Sequence, residues 1–415
     1  MSAEAATAGI VIVGAGQAGV MTAETLRSGG FEGAITLLGD EPHGPYHRPP
    51  LSKAWLAGEI EAAQLVMRAP EMLARKHIDL RTGVTVKAID RNVRTVILGD
   101  GSVLRYTGLV LATGSTPRNL PLPGGSAPGV LALRTRDDAS AIADRMVTCI
   151  EKQRPVVVIG GGFIGLEVAA TARKKGLAVT VLEAAPRLLG RVLAPELSDW
   201  YASLHRSHGV QLVLGAQVAA IEADANGVTG VKLADGSVVP AGLVVVGIGV
   251  TANDQLAQAA GLACDRGIVV DACCRTSDPS IVAAGDCTAR RLADGSLLRL
   301  ESVQNATEQG KSAAAALLGQ ERPFTATPWF WSDQYDKKLQ MAGLSMGADA
   351  WAVRGDMAAG AFTVYHFKGD HLIAADSVNA SKDHLLVRKL LDAGVSPALE
   401  QAGDVGFDLA SLLVK

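Results

Sequence analysis

One motif, present twice in the same order, restricts this chain more than anything else in it. Ile10-Val-Ile-Val13 is a short β-branched run of the kind seen in parallel strands buried on both faces. It leads into Gly14-Ala-Gly16-Gln-Ala-Gly19, then a helical stretch from Val20 to Ser28, then an apolar run from Ala34 to Leu38 ending at Asp40. Further on, Val156-Val-Val-Ile159 leads into Gly160-Gly-Gly162-Phe-Ile-Gly165, a helix through Lys175, the run Ala178 to Leu182, and Glu183. The first glycine allows a tight strand-to-helix turn, the second lets backbone approach a pyrophosphate, and the third lets helix pack on strand. The phosphates then face unpaired N–H groups at a helix N-terminus, and the acid about 20 residues on accepts from ribose hydroxyls. A lone G-x-G-x-x-G is a weak signal. Strand, glycines, helix, strand and acid in order, twice, predict two dinucleotide-binding folds.

The repeat extends beyond the glycines. Val93–Gly114 reads VRTVILGDGSVLRYTGLVLATG and Val228–Gly249 reads VTGVKLADGSVVPAGLVVVGIG. Each places an Asp-Gly turn between alternating runs, as a hairpin requires, then a buried strand ending in glycine. Asp100 and Asp235, like Gly114 and Gly249, stand 135 residues apart, so the register holds. One nucleotide fold nested inside the other is the economical arrangement. The copy that begins the chain is where a permanently held FAD belongs in such nested folds. In the second, Glu183 is followed by Ala184 and Ala185, so its carboxylate favours the 2′-hydroxyl of NAD over the 2′-phosphate of NADP. Arg187 and Arg191 lie a few residues on and leave some NADP use open.

At 415 residues the chain has room for two to three domains at roughly 150 residues each. The formal charge of −3 argues against nucleic acid or an anionic membrane as main partner, since both want a basic excess. The longest strongly apolar stretch, Gly242–Val250, falls far short of the ~20 residues of a membrane helix. MSAEAATAG carries an acid and no Lys or Arg, unlike a secretory signal, so a cytoplasmic location is expected. The five cysteines, Cys149, Cys264, Cys273, Cys274 and Cys287, have no C-x-x-C or zinc-site spacing and read as reduced, buried thiols. No metal site is expected.

The absence of cysteine before Cys149 decides a further point. Pro45-Tyr-His-Arg-Pro-Pro-Leu-Ser-Lys53 is a proline-stiffened loop in which Ser52 is placed to cap a helix starting near Lys53. In flavin disulfide reductases a redox cysteine pair sits at about this point. None is present here, so electrons arriving as hydride must leave by another route.

PYHRPPLSKAWLAGE, LATGSTPR, VVVIGGGFIGLEVAA, SDPSIVAAGDC, ESVQNATEQG and PWFWSDQY together resemble the NADH-dependent, FAD-containing ferredoxin reductases of bacterial oxygenase systems, the putidaredoxin reductase type. The resemblance runs in order over nearly the whole chain, and the RPPLSK and WFWSDQY segments are not general features of nucleotide folds. It implies an α/β architecture of two nested Rossmann-like dinucleotide-binding domains (glutathione-reductase-like) plus a C-terminal α+β interface domain. The expected boundaries are 1–116 with 250–325 for FAD, 117–249 for NAD, and 326–415 for the interface domain.

By the same resemblance Gly14, Gly16 and Ala18 hold the FAD pyrophosphate, Asp40 the adenosine ribose, and Val86 the adenine end. Arg48, Lys53 and Arg134 reach the flavin, Asp286 accepts from the ribityl chain, and Val303 offers its N–H to the flavin pyrimidine. That last role has independent physical support: a helix N-terminus favours negative charge arising at the ring edge. Candidate NAD contacts are Gly160, Gly162, Gly165, Glu183, Arg191 and Gly249. Glu167, placed on the first turn of the second glycine-led helix, reads from sequence alone equally well as a surface acid complementing the dipole. The resemblance instead pairs it with Lys53, buried beside the flavin N5, where the pair positions the nicotinamide.

Composition shifts after Phe324, with ten of the 17 aromatic residues from there on. Alternation in Ala361–Phe367, and then His371–Asp376, predicts antiparallel strands. Most of these aromatics read as core. Trp329 and Trp331, two apart, share one side of an extended segment, and the resemblance sets Trp331 at the flavin's far face where an iron–sulfur partner docks. Lys311, Lys337 and Lys338 are candidates for a basic patch facing an acidic [2Fe–2S] ferredoxin, or are ordinary solvated lysines. His43 and His47 flank the proline-rich loop, His205 and His208 fall on what reads as a surface helix, and no histidine is assigned a role.

The implied activity is ferredoxin–NAD+ reduction: hydride from NADH(NAD) to FAD, then single electrons to a [2Fe–2S] ferredoxin supplying a cytochrome P450 or similar oxygenase. Two alternatives stay open at this point. One is a reductase of rubredoxin or a quinone-like small molecule. The other is an NADH-sensing flavoprotein of the apoptosis-inducing-factor kind.

Overall fold

The strand Gly9–Val13 is buried along its whole length, because it pairs in parallel with Ile35–Leu38 on one edge and Val103–Leu111 on the other. The computed structural model describes residues 8–413; the segment Met1–Thr7, part of the stretch read above for a signal, lies outside them. The described chain divides into two compact units. The first takes the chain up to His47, Ala62–Thr116 and Val250–Ala326, and the second takes Arg48–Glu61, Pro117–Gly249 and the chain from Thr327.

In the first unit the strands run in the order Ile78–Arg81, Ile35–Leu38, Gly9–Val13, Val103–Leu111, Thr95–Leu98, Val86–Asp90, with Ile281–Ala283 pairing in parallel to Val103–Leu111. The helix Gln17–Ser28 starts three residues before the apolar pattern suggests, because Gly16 itself is the N-cap. In the second unit five parallel strands run in the order Val210–Leu214, Val179–Glu183, Val156–Ile159, Leu243–Val246, Val130–Ala132. The helix Phe163–Lys174 follows the second glycine turn, capped by Gly162.

The two nucleotide folds repeat in detail. Gly14 and Gly160 have φ of 113° and 110°, a region open to glycine. A Cβ on Gly19 would lie 1.9 Å from the Gly14 carbonyl oxygen, and one on Gly165 would lie 2.2 Å from that of Gly160. The third glycine of each motif is therefore obligatory for packing. Both Asp-Gly hairpins form, and in each the aspartate (Asp100, Asp235) accepts from the backbone N–H and hydroxyl of the serine two residues on.

The chain from Trp329 forms a five-stranded antiparallel sheet in the order Trp329–Gln334, Lys337–Gly343, His371–Val378, Ala361–Lys368, Ala350–Asp356. The alternating strand Ala361–Lys368 is buried at six consecutive positions, because both of its faces are covered. Tyr365 and Phe367 pack with Val387 and Leu390 of the helix Ser381–Ala393. Phe362 and Val364 join the core of the nucleotide sheet with Val156, Leu166 and Tyr201. At roughly 1.5–3 kcal/mol per fully buried large side chain, this shared core ties the terminal sheet to the nucleotide fold within the second unit. Among the described residues no helix is long and apolar enough to cross a membrane.

Candidate functional site

In the first unit the strand Gly9–Val13 delivers the chain to a turn whose backbone is bare. Gly16 has no heavy atom within 4 Å of where a Cβ would sit, and the helix it caps has no acid in its first turn. Such a helix start presents N–H groups without intrahelical partners to an anion. Ala18, on that first turn, is buried, and Asp40 is exposed just past the second strand. Val86 opens the outer strand of the sheet. Asp286 accepts from the Ser115 hydroxyl at 3.1 Å. Val303 begins the helix Val303–Leu317, as expected, behind an N-cap Ser302 that accepts from the Asn305 N–H at 3.1 Å. Beside Val303, the Gln304 side-chain oxygen is buried with no hydrogen-bond partner among the described residues. An acceptor left bare in that way asks for a donor from a bound group. The open glycine cradle and the unpaired acceptor fit FAD.

The second unit repeats the cradle. Gly162 also has empty space where a Cβ would lie, and the helix it caps has no acid in its first turn. Glu183 reaches back from its strand end, accepting from Gly161 N–H at 2.5 Å and Ala185 N–H at 2.7 Å. The loop 187–189 bonds to the same turn, Leu189 N–H to Gly161 carbonyl at 3.0 Å. In that loop the Arg187 Nη1 is buried without a partner among the described residues. Arg191 is exposed, and Gly249 stands at φ 99° with open space around it. These groups fit a pyridine dinucleotide.

Arg48, Lys53 and Arg134 fall in the second unit. The Arg48 guanidinium donates to the Arg134 carbonyl at 2.8 Å, and Thr135 with Asp138 forms a capping box that fixes the Arg134 backbone. Ser52 does not cap the following helix. The prolines wind Pro49–Ser52 into a 3-10 turn, Lys53 takes the N-cap position, and the Ser52 hydroxyl turns to Glu167. Glu167 in turn is not on the first turn of its helix, because the helix begins at Phe163 and Glu167 is the fifth residue. It is 2% exposed and forms an ion pair with Lys53, Nζ to Oε2 at 2.6 Å. The same oxygen accepts from Ser52 at 2.5 Å, and Oε1 accepts from Ser332 at 2.6 Å. The surface-acid reading of Glu167 is thereby set aside.

Strand alternation explains how Ser332 gets there. Along Trp329–Gln334, Phe330 packs on Phe163 with ring centroids 4.8 Å apart, and Ser332, two residues on, meets Glu167. Trp329 and Trp331 share the opposite side, their rings 5.5 Å apart, with the Arg388 guanidinium over Trp329. His205 is also not a surface residue: it is fully buried and bonded to Gln334 at 2.8 Å. Its spacing from Leu197 and Tyr201, four residues each time, is the core-facing signal that identifies it. Of the candidate lysines, Lys311 is paired with Glu308 at 2.7 Å and Lys337 with Asp336 at 2.8 Å, whereas Lys338 is exposed. All five cysteines are free. Burial pushes the thiols of Cys149, Cys274 and Cys287 up from their ordinary range, and that of Cys264 to about 11.

Two glycine-turn nucleotide folds, one carrying a buried carboxylate paired with a half-buried lysine, define a nucleotide-dependent oxidoreductase fold. Residues 8–310 match the pyridine nucleotide-disulphide oxidoreductase family, and residues 329–413 match the reductase C-terminal family. Rhodocoxin reductase of Rhodococcus erythropolis is 46% identical over 401 residues, covering 96% of this chain and 93% of the relative. Putidaredoxin reductase of Pseudomonas putida is 47% identical over 377 residues, covering 89% and 88%. The solved covalent complex of putidaredoxin reductase with putidaredoxin superposes with a TM-score of 0.93 at 43% identity, covering 98% of both chains. The chain belongs to the pyridine nucleotide-disulphide oxidoreductase family, among its ferredoxin reductases of the putidaredoxin reductase type.

Proposed function

We propose that this protein oxidises NADH and reduces a [2Fe–2S] ferredoxin that serves a cytochrome P450 or a similar oxygenase. The observation that carries the reading is the ion pair between half-buried Lys53 and Glu167, which is buried on the helix of the second nucleotide fold. An ammonium held at 2.6 Å by a carboxylate that two serine hydroxyls also fix in place is a rigid point for orienting a nicotinamide. In this reading Lys53 and Glu167 position the nicotinamide, with Gly160, Gly162, Gly165, Glu183, Arg191 and Gly249 holding the rest of NAD(H). Gly14, Gly16, Ala18, Asp40, Val86, Asp286 and Val303 hold FAD, with Arg48, Lys53 and Arg134 as further contacts. Bound FAD supplies the conversion of a hydride into single electrons. We assign 1–116 with 250–325 to FAD, 117–249 to NAD, and 326–415 to the partner-facing domain, with Trp331 near the ferredoxin. Free thiols, four of the five buried, suit a reducing, cytoplasmic setting.

The test is reduction of purified [2Fe–2S] ferredoxins by the flavoprotein with NADH, run beside rubredoxin and a soluble quinone. Faster turnover with a ferredoxin than with either rival is expected. Preference for rubredoxin or quinone overturns the reading. Slow decay of the reduced protein that no acceptor hastens would favour a sensor.

A further inference from the structure

Glu167 is the end of a hydrogen-bonded chain that the proposed function leaves unused. Ser332 Oγ lies 2.6 Å from Glu167 Oε1, Gln334 Nε2 lies 3.2 Å from Ser332 Oγ, and Gln334 Oε1 lies 2.8 Å from His205 Nε2. The Tyr335 hydroxyl is 3.2 Å from His205 Nδ1. Ser332, Gln334 and His205 are all buried.

The carboxylate fixes the direction of every link. Ser332 has one proton and gives it to Glu167, so its oxygen accepts from the Gln334 amide N–H. The amide oxygen then faces His205, which must present Nε2–H. Nδ1 is left bare and accepts the Tyr335 O–H. Burial, opposed by the Gln334 bond, lowers the His205 pKa to about 4, which keeps the ring neutral. A second observation comes from the backbone. Tyr335 stands at φ 57° in the turn between two strands, a region in which glycine sits freely and a bulky residue is an outlier. The strained position sets its hydroxyl on His205 and stacks its ring on exposed His208, with centroids 3.7 Å apart.

We propose that Ser332, Gln334, His205 and Tyr335 are a polarised chain of positioning residues that act on the nicotinamide through Glu167. Every donor points toward the carboxylate, so the chain holds Oε1 and leaves Oε2 to Lys53 and Ser52. The role assigned at the nicotinamide rests on the reading of Lys53–Glu167 given above; the polarity of the chain does not.

Two measurements on the intact flavoprotein test it. In the first, long-range 1H–15N spectra read the His205 tautomer, assigned by its loss in His205→Gln. Nε2–H with bare Nδ1 is expected from pH 5 to pH 9; the other tautomer, or titration in that range, overturns the chain. In the second, stopped-flow reduction by NADH is compared in His205→Phe, His205→Gln and Lys53→Met. His205→Phe should slow reduction about tenfold while the NADH dissociation constant moves less than about twofold, the upper end of what losing one neutral hydrogen bond contributes. His205→Gln, whose amide keeps one donor and one acceptor, should restore most of the rate. Equal slowing in both His205 variants marks a merely structural role and overturns the proposal. If Lys53→Met is slow and His205→Phe is not, the chain's role falls and the reading of the ion pair stands. If Lys53→Met matches the parent, the reading of the pair falls, and the chain's hold on the nicotinamide falls with it.

Discussion

Ser332 donates to Glu167 across 165 positions of sequence at 2.6 Å, so the terminal sheet and the nucleotide helix share one buried charge. Neither element satisfies that charge alone. Lys53 and Ser52 approach the other oxygen from the proline-rich segment, which makes three stretches of chain interdependent.

Removing one partner strands the other. Lys53→Met should lower stability by about 3–5 kcal/mol, because Glu167 is left buried and unpaired. Ser332→Ala should lower it by about 1–3 kcal/mol through the unsatisfied carboxylate oxygen. Lys53→Met with Glu167→Leu should recover most of the loss of the single variant. Guanidinium denaturation checks all three, and a Lys53→Met midpoint equal to the parent's would contradict the buried pair.

Acid should unfold the protein partly through two histidines. Burial lowers His205 to about 4, and burial with the nearby Arg388 and Lys338 lowers His384 to about 4, both from an ordinary 6.5. Above pH 6.5 each is neutral in both states and its full contribution is present. As pH falls from 6.5 to about 4 the unfolded chain takes up protons that the folded chain refuses. Stability then drops, by about 1.4 kcal/mol per pH unit for each histidine. Denaturation midpoints across that window should fall less steeply in His205→Gln; parallel slopes would remove this cause.

Cofactor choice should sit at Glu183. Its carboxylate is held by two backbone N–H groups, and in the proposed NAD site it would repel a 2′-phosphate. Glu183→Ala should cut the NADH over NADPH preference in kcat/KM at least about tenfold, the discrimination a single charged contact carries. An unchanged ratio would move the determinant to Arg187 or Arg191.

Thiol chemistry should play no part in turnover. All five cysteines are free, four are buried, and burial holds the Cys274 thiol well above its ordinary range. Iodoacetamide on the native protein should leave ferredoxin reduction intact. Inactivation that tracks alkylation of one cysteine would reopen a sulfur relay.

Ferredoxin turnover should weaken with salt, and ferricyanide turnover should not, because only the protein acceptor is steered by charge. Lys338, exposed where Lys311 and Lys337 are tied to Glu308 and Asp336, should carry more of that response than either. Lys338→Glu should lower ferredoxin kcat/KM and spare ferricyanide. Equal salt responses for the two acceptors would end the steering argument.

What could be read beforehand was whatever is written in local periodicity. The nucleotide folds announce themselves because turn, helix and acid follow one another along the chain, and both Asp-Gly hairpins are legible for the same reason, whereas the helix from Val303 follows only from the family resemblance. Ser52 reads as a cap because a capping residue and a donor to a distant carboxylate look alike in sequence. His205 was placed on the surface although its spacing from Leu197 and Tyr201 marks the inner face of that helix. Gln334 and Tyr335 gave no local sign, since their partners lie about 130 residues away.

The matched glycine cradles have a practical consequence. Gly16 and Gly162 each cap the helix that follows, at φ −80° and −85°, with open space where a Cβ would lie. A methyl group added at either probes a closely similar backbone, so Gly16→Ala and Gly162→Ala serve as each other's control. If the cradles hold FAD and NAD(H) as proposed, any difference between them measures how a tightly retained nucleotide and a freely exchanging one tolerate crowding on closely similar backbone.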